Sequence, residues 1–381
     1  YDYVFFILFT EQQEDLYAEA ATINLTSIGG KDGYFRPACG IININYNRYK
    51  NIDTFDSHQI FEARRTLFHE ITHAFVFAPE LLDHFIDQYG KSIPKEELLS
   101  EISGPKLRNQ PYLIHKNIKN LIKDYFQCEN NKGYPLEAKD KAHFVQQLIA
   151  DSLMRPMVDS FQDRVSKFIK ELFKLSGWYI INDDETAEQS LWGKNKGCRF
   201  INMECTDEQD QLFEEYCDID NKRLANGCDY YYRSPAKCFF YDNLKDSTCA
   251  YMNPSETICS LPDTGKTTNK FASVEVLGKN SKCIEFFDTE ETRFAACFEA
   301  QCDEVKRTIT IKIGETKEII QYGKDNKPEK EIFMAKAGNL GMVKFLFPSN
   351  FERFCFYSND NGDSKGKNFL KKSVGRKESF F

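Results

Sequence analysis

His69-Glu70-Ile71-Thr72-His73 sets two histidines four residues apart around a glutamate. Histidines at i and i+4 lie one helical turn apart, so both imidazoles can reach one metal ion without distorting the backbone. Imidazole nitrogen suits zinc, and a zinc site that does chemistry needs a third protein ligand plus an open position for water. Glu70 lies between them in sequence and is angled about 100° around the helix from His69. It is therefore placed to take a proton from a water rather than to occupy a coordination position. Working outward, Asp56 and Ser57 are good N-caps, and the pattern predicts a helix over about 56–77. On a helical wheel Ile60, Phe61, Leu67, Phe68, Ile71 and Phe75 share one face, expected to be buried, and the histidines lie opposite.

N-terminal to this helix, Val4-Phe5-Phe6-Ile7-Leu8-Phe9 is too short to span a bilayer and reads as a buried strand, and Gly40 to Tyr46 as a second strand. The chain opens at Tyr1 rather than Met, which leads us to expect an upstream segment. Beyond Pro79, amphipathic spacing predicts helices over 80–88, 111–126, 142–149 and 164–175. After residue 195 the helical periodicity breaks up, with Ile309, Ile311 and Ile313 alternating as in a strand.

Of 13 cysteines, eleven fall between Cys198 and Cys355, without the paired CxxC spacing of zinc ribbons. Irregular loops pinned by disulfides are the natural reading, and they require an oxidising compartment. The count is odd, so one thiol is free or its partner lies outside this chain. The sequon Asn24-Leu25-Thr26 agrees with a secreted or cell-surface location. In 381 residues, 50 Lys+Arg against 58 Asp+Glu give a net charge of -8, which argues against nucleic acid or an anionic membrane as partner. With 41% hydrophobic and 28% charged residues, the chain can bury a sizeable core.

The third ligand is not set by spacing. His58, His84, His115 and His143 are all available, and Met154 precedes the turn-forming Pro156. A family resemblance narrows the choice. His69–His73, a long insertion, His143 and a methionine eleven residues later at Met154 together resemble the leishmanolysin type of metzincin peptidase and its ciliate-type relatives. Phe35-Arg36-Pro37-Ala38-Cys39-Gly40 and Gly133-Tyr134-Pro135-Leu136-Glu137 continue the pattern, as do Ser176-Gly177-Trp178-Tyr179, Leu191-Trp192-Gly193 and Cys297-Phe298-Glu299-Ala300-Gln301-Cys302.

The resemblance implies an α+β fold: a metzincin-type zincin catalytic domain with a helical insertion, followed by a disulfide-rich, mostly irregular or β C-terminal domain. The division falls at 1–195 and 196–381, with the insertion over about 80–141, the third ligand and Met-turn over 143–156, and a basic tail at Lys365–Lys377. It implies one zinc ion held by His69, His73 and His143, Glu70 as general base, Met154 as the Met-turn residue, and protein or peptide substrates with possible cell-surface association. The implied activity is that of an endopeptidase; the alternative is an impaired relative acting in adhesion or ligand binding. One departure stands out. Metzincins place a glycine three residues after the second histidine, and here that position is Val76. Valine resists the left-handed conformation, so strain at the helix end, or methyls crowding the cleft, is expected, with Val76→Gly raising activity.

Overall fold

A computed structural model describes residues 3–13, 16–28, 34–102, 110–138, 141–149, 151–156, 164–181, 190–240, 249–262, 264, 274–338 and 341–356. The basic tail at Lys365–Lys377 lies outside them. The N-terminal sheet has the order β1-β3-β2, from β1 (Val4–Thr10), β2 (Ala18–Ile28) and β3 (Tyr34–Asn45). β1 runs parallel to β3, in register from Val4 opposite Cys39 to Thr10 opposite Asn45. β2 is antiparallel to β3 and bulges between Thr22 and Leu25. The one-turn helix α1 (Tyr46–Tyr49) leads to the long helix α2 (Ser57–Phe75). Asp56 caps α2 in a capping box: its carboxylate accepts from the Gln59 N–H, while Gln59 Oε1 accepts from the Asp56 N–H.

Two expectations about burial are corrected here. β1 is an edge strand, and Val4, Phe6, Ile7, Leu8 and Phe9 are exposed rather than buried. On α2, Ile60, Leu67 and Phe68 remain 36–38% exposed, whereas Arg65, Thr66, Glu70 and Thr72 are buried. The apolar stripe is covered at its C-terminal end, where the rings of Tyr3, Phe5 and Tyr179 surround Phe75. The chain closes instead over the polar side of the helix, the side that carries the histidines.

The 80–141 region is mixed rather than helical. Over 80–88 only a single turn forms, α3 (Pro79–Leu82), because the chain then folds back through the Ile86–Ser92 bridge. After α4 (Lys95–Leu98), β4 (Leu99–Ile102), β5 (Gln110–Leu113) and β6 (Tyr134–Pro135) make a small sheet. Pairing with β4 keeps 110–113 extended, so the following helix α5 (Lys116–Phe126) starts late, capped by His115. The helix α6 (Lys167–Leu175) starts at its Ser166 cap because Arg164 is held extended against Ser152. It stops at Gly177, whose φ of +73° no side chain could share, since a Cβ there would meet the Ile86 carbonyl at 2.5 Å.

One apolar core contains Val76, Phe85, Ile122, Phe144, Met154 and Trp192 and continues through Phe200 and Tyr216 to Tyr251. Residue 195 thus lies within the span of this core, and the disulfide Cys128–Cys198 ties the segment just after α5 to α7 (Gly197–Ile201) across it. Downstream, β7 (Asn226–Cys228), β8 (Pro235–Phe239) and β9 (Tyr251–Pro254) form a second small sheet. A six-stranded antiparallel sheet then follows in the order β13-β12-β11-β10-β15-β14. Its strands are β10 (Ser281–Phe287), β11 (Arg293–Asp303), β12 (Thr308–Ile313), β13 (Thr316–Gln321), β14 (Ile332–Lys336) and β15 (Met342–Leu346), closed by α8 (Phe351–Phe356). Ile309, Ile311 and Ile313 are buried in β12 as their alternation predicts. The region is more regular than expected. β11 is covered on both faces over Ala295–Phe298 and so lacks the alternation that would reveal it.

Six disulfides form, five of them wholly after Cys198: Cys205–Cys249, Cys217–Cys238, Cys228–Cys283, Cys259–Cys297 and Cys302–Cys355. Cys39 is the thiol left over. Among the described residues no helix is long and apolar enough to cross a membrane.

Candidate metal centre

α2 carries His69, Glu70 and His73 on its covered side, and the chain returns 70 residues later to bring His143 against them. The three Nε2 atoms lie 3.0 Å (His69–His73), 3.1 Å (His69–His143) and 3.1 Å (His73–His143) apart. His143 does not sit on a helix, contrary to the expectation over 142–149. It lies in a bend at 141–143 before a 3₁₀ turn at Gln146–Leu148, because both flanks of the segment are already paired. Leu136 bridges Phe144, the Glu137 N–H donates to the His143 carbonyl (2.9 Å), and the Phe144 N–H donates to the Met154 carbonyl (3.0 Å). The Phe144 ring packs 4.8 Å from Phe77 and 4.9 Å from Tyr134, fixing the loop.

Two backbone carbonyls set the histidine tautomers. His69 Nδ1 is 2.7 Å from the Leu153 oxygen, and His73 Nδ1 is 2.8 Å from the Phe77 oxygen. A carbonyl can only accept, so each Nδ1 carries the proton and each Nε2 presents its lone pair to the common centre. Burial, then the neighbouring His73 and His143, hold His69 well below the usual histidine range, which keeps it neutral. Converging lone pairs at 3.0 Å repel one another unless a cation lies between them. For a tetrahedral ion with bonds of about 2.0–2.1 Å, ligand nitrogens stand about 3.3 Å apart, close to the observed spacing. The donor set fits a zinc ion. The Glu70 carboxyl is pushed up to about 8 by burial, with Glu19 adding to the shift and Arg65 opposing it.

The remaining histidines are engaged elsewhere: His58 pairs with Glu62 (3.7 Å), His84 lies edge-on to Phe35, and His115 caps α5. Met154 is fully buried, and its carbonyl accepts the N–H of Phe144, next to His143. Leu153 and Phe77 escape sequence reading, since a carbonyl carries no residue-type signature.

The end of α2 corrects the expectation about Val76. Its φ is -154° with ψ -34°, so the chain leaves the helix without the left-handed conformation that glycine favours, and the Val76 side chain is buried in the first core instead of the cleft. The carbonyls that a glycine-based cap would satisfy are met in another way. Thr72 O accepts the N–H groups of Val76 and Phe77, Ala74 O accepts the hydroxyls of Tyr3 (3.0 Å) and Thr22 (2.7 Å), and Phe75 O accepts that of Tyr179 (3.1 Å). Val76→Gly should therefore lower stability by on the order of 2 kcal/mol through lost burial, plus about 0.5–1 kcal/mol of backbone entropy. Activity should fall as well, because the Phe77 carbonyl that holds His73 follows directly. Urea unfolding of the variant checks the first effect.

A helix bearing two imidazoles one turn apart, a third brought in from a distant loop, and a buried glutamate beside them is the form of site found in metallopeptidases. The leishmanolysin family (peptidase M8) matches residues 2–323, and the chain belongs to that family of metallopeptidases. It is 22% identical over 295 residues to the ciliated left-right organizer metallopeptidase of Danio rerio, covering 74% of this chain and 44% of that protein. It is 21% identical over 348 residues to leishmanolysin of Leishmania tropica, covering 82% and 49% respectively. The chain thus spans about half the length of these curated relatives.

Proposed function

We propose that the protein is a zinc endopeptidase of metzincin type acting on protein or peptide substrates on the extracellular side of the cell, in solution or at the cell surface. The observation that carries this reading is the convergence of the His69, His73 and His143 Nε2 lone pairs, beside a buried Glu70. The three histidines would hold the ion, which when bound supplies Lewis-acid polarisation of a water and of the scissile carbonyl. Glu70 takes the proton of the attacking water on its carboxylate and delivers it to the departing amine nitrogen. The cation's charge acts against the burial that raises the Glu70 carboxyl, so the group is ionised when it is needed. The Leu153 and Phe77 carbonyls keep two imidazoles in register throughout. Met154 forms the apolar floor. Six disulfides and the exposed sequon residue Asn24 support the extracellular location.

The test is digestion of a generic unfolded protein by the zinc-loaded chain. Cleavage should stop on chelation and return when zinc is restored. A chain that takes up zinc stoichiometrically yet cleaves nothing would overturn the peptidase reading.

A further inference from the structure

Asp151 and Tyr231 form a buried hydrogen bond that joins the disulfide-rich part of the chain to the turn beneath the histidines. The Tyr231 hydroxyl donates to Asp151 Oδ2 at 2.6 Å, and both residues are at most 1% exposed. The same hydroxyl accepts the Leu191 N–H at 3.1 Å, and Arg164 Nε lies 3.6 Å from Asp151 Oδ2. Tyr231 is itself held rigidly. It lies in the connection between β7 and β8, where Asp229 closes the loop by accepting the N–H groups of Arg233 and Ser234 and the Arg233 guanidinium. Cys228–Cys283 and Cys217–Cys238 anchor the two strands on either side.

From Asp151 the contacts run to the site through backbone hydrogen bonds. The Arg164 N–H donates to the Asp151 carbonyl (2.8 Å), and the Leu153 N–H donates to the Arg164 carbonyl (2.9 Å). Leu153 O then accepts from His69 Nδ1, and the next carbonyl, of Met154, accepts the N–H of Phe144 beside His143. One short turn thus touches two of the three histidine positions, and its side-chain anchor comes from beyond residue 195.

We propose that Tyr231 is a positioning residue for the histidine cluster, acting through Asp151 and the Leu153 carbonyl. The cysteine-rich part is then a structural component of the metal site and not an appended module. Without the Tyr231 hydroxyl, a buried Asp151 oxygen loses its donor, and the turn is free to reorganise around Arg164. The Leu153 carbonyl would shift with it and release the His69 ring. Outer partners of metal-binding histidines typically change metal affinity by about 10–100-fold.

The inference rests on the metal-site reading above, so the experiment separates the two. Zinc affinity of the full chain is measured by competition with a chromophoric chelator for wild type, Tyr231→Phe, His69→Ala and Tyr322→Phe. Tyr322 is a control of similar chemistry: it is buried in the second core and donates to the Pro348 carbonyl at 2.8 Å. The expected result is weaker zinc binding by about 10-fold or more in Tyr231→Phe, loss of binding in His69→Ala, and wild-type affinity in Tyr322→Phe. Wild-type affinity in Tyr231→Phe alongside loss in His69→Ala would overturn the positioning role and leave the metal site standing. Undiminished affinity in His69→Ala would overturn the metal site itself. Equal weakening in Tyr231→Phe and Tyr322→Phe would show general loosening and also overturn the proposal.

Discussion

Glu70→Gln should bind zinc as wild type does and lose turnover by about 10²–10⁴-fold, the range that a positioned proton acceptor contributes. The amide matches the carboxyl in size and has no ionisable oxygen, so the change removes the proton acceptor and leaves the helix intact. Glu70 is buried, and its carboxyl is pushed up to about 8 chiefly by that burial. A neutral glutamine at the same place costs less to desolvate. The metal-free variant should accordingly be at least as stable as the metal-free wild type at neutral pH. Digestion of an unfolded substrate and zinc content, measured on the same preparation, give the two readouts. Turnover within a few-fold of wild type would remove Glu70 from the reaction.

His143→Ala should abolish both zinc retention and cleavage. Two imidazoles on one helical turn remain, but the third Nε2, 3.1 Å from each of them, is gone. Binding to the native state stabilises by mass action, about 2.7 kcal/mol when free zinc is 100 times its dissociation constant. Wild type should gain that much on adding zinc, and His143→Ala close to none, as measured by urea unfolding with and without the ion. The His143 side chain caps no helix and reaches the site from a bend in the loop, so the metal-free variant should remain folded. Full zinc stoichiometry in His143→Ala would mean that the third ligand comes from elsewhere.

Legibility in the sequence follows the distance over which each interaction acts. The Asp56 cap, the span of α2 and the pairing of His69 with His73 depend on residues within a turn or two of one another, and all could be read directly. His143 could not be reached by spacing. Its place depends on closing a loop of 70 residues, and only the resemblance to a family singled it out among the four other histidines. The single turn at Pro79–Leu82, the extended 110–113 and the irregular 142–149 depart from their helical periodicity for one shared reason. Each is amphipathic at helical period, yet the backbone partners that decide its conformation, at Ser92, Leu99–Ile102 and Met154, lie outside any local window.

Residue types alone fix the composition of the site and the segregation of cysteines: which side chains can bind a metal, which can take a proton, and which part of the chain disulfides can staple. The remainder depends on contacts made only in the folded chain. Folding selected six pairs from thirteen cysteines, left Cys39 out, and turned the polar side of α2 inward while leaving Ile60, Leu67 and Phe68 partly exposed. It also ended α2 without a glycine, by supplying the hydroxyls of Tyr3, Thr22 and Tyr179 to the last carbonyls. The physical reason is that a helix end or a tautomer needs only some donor or acceptor in the right place. Any part of the chain can provide it, and only folding brings that part there.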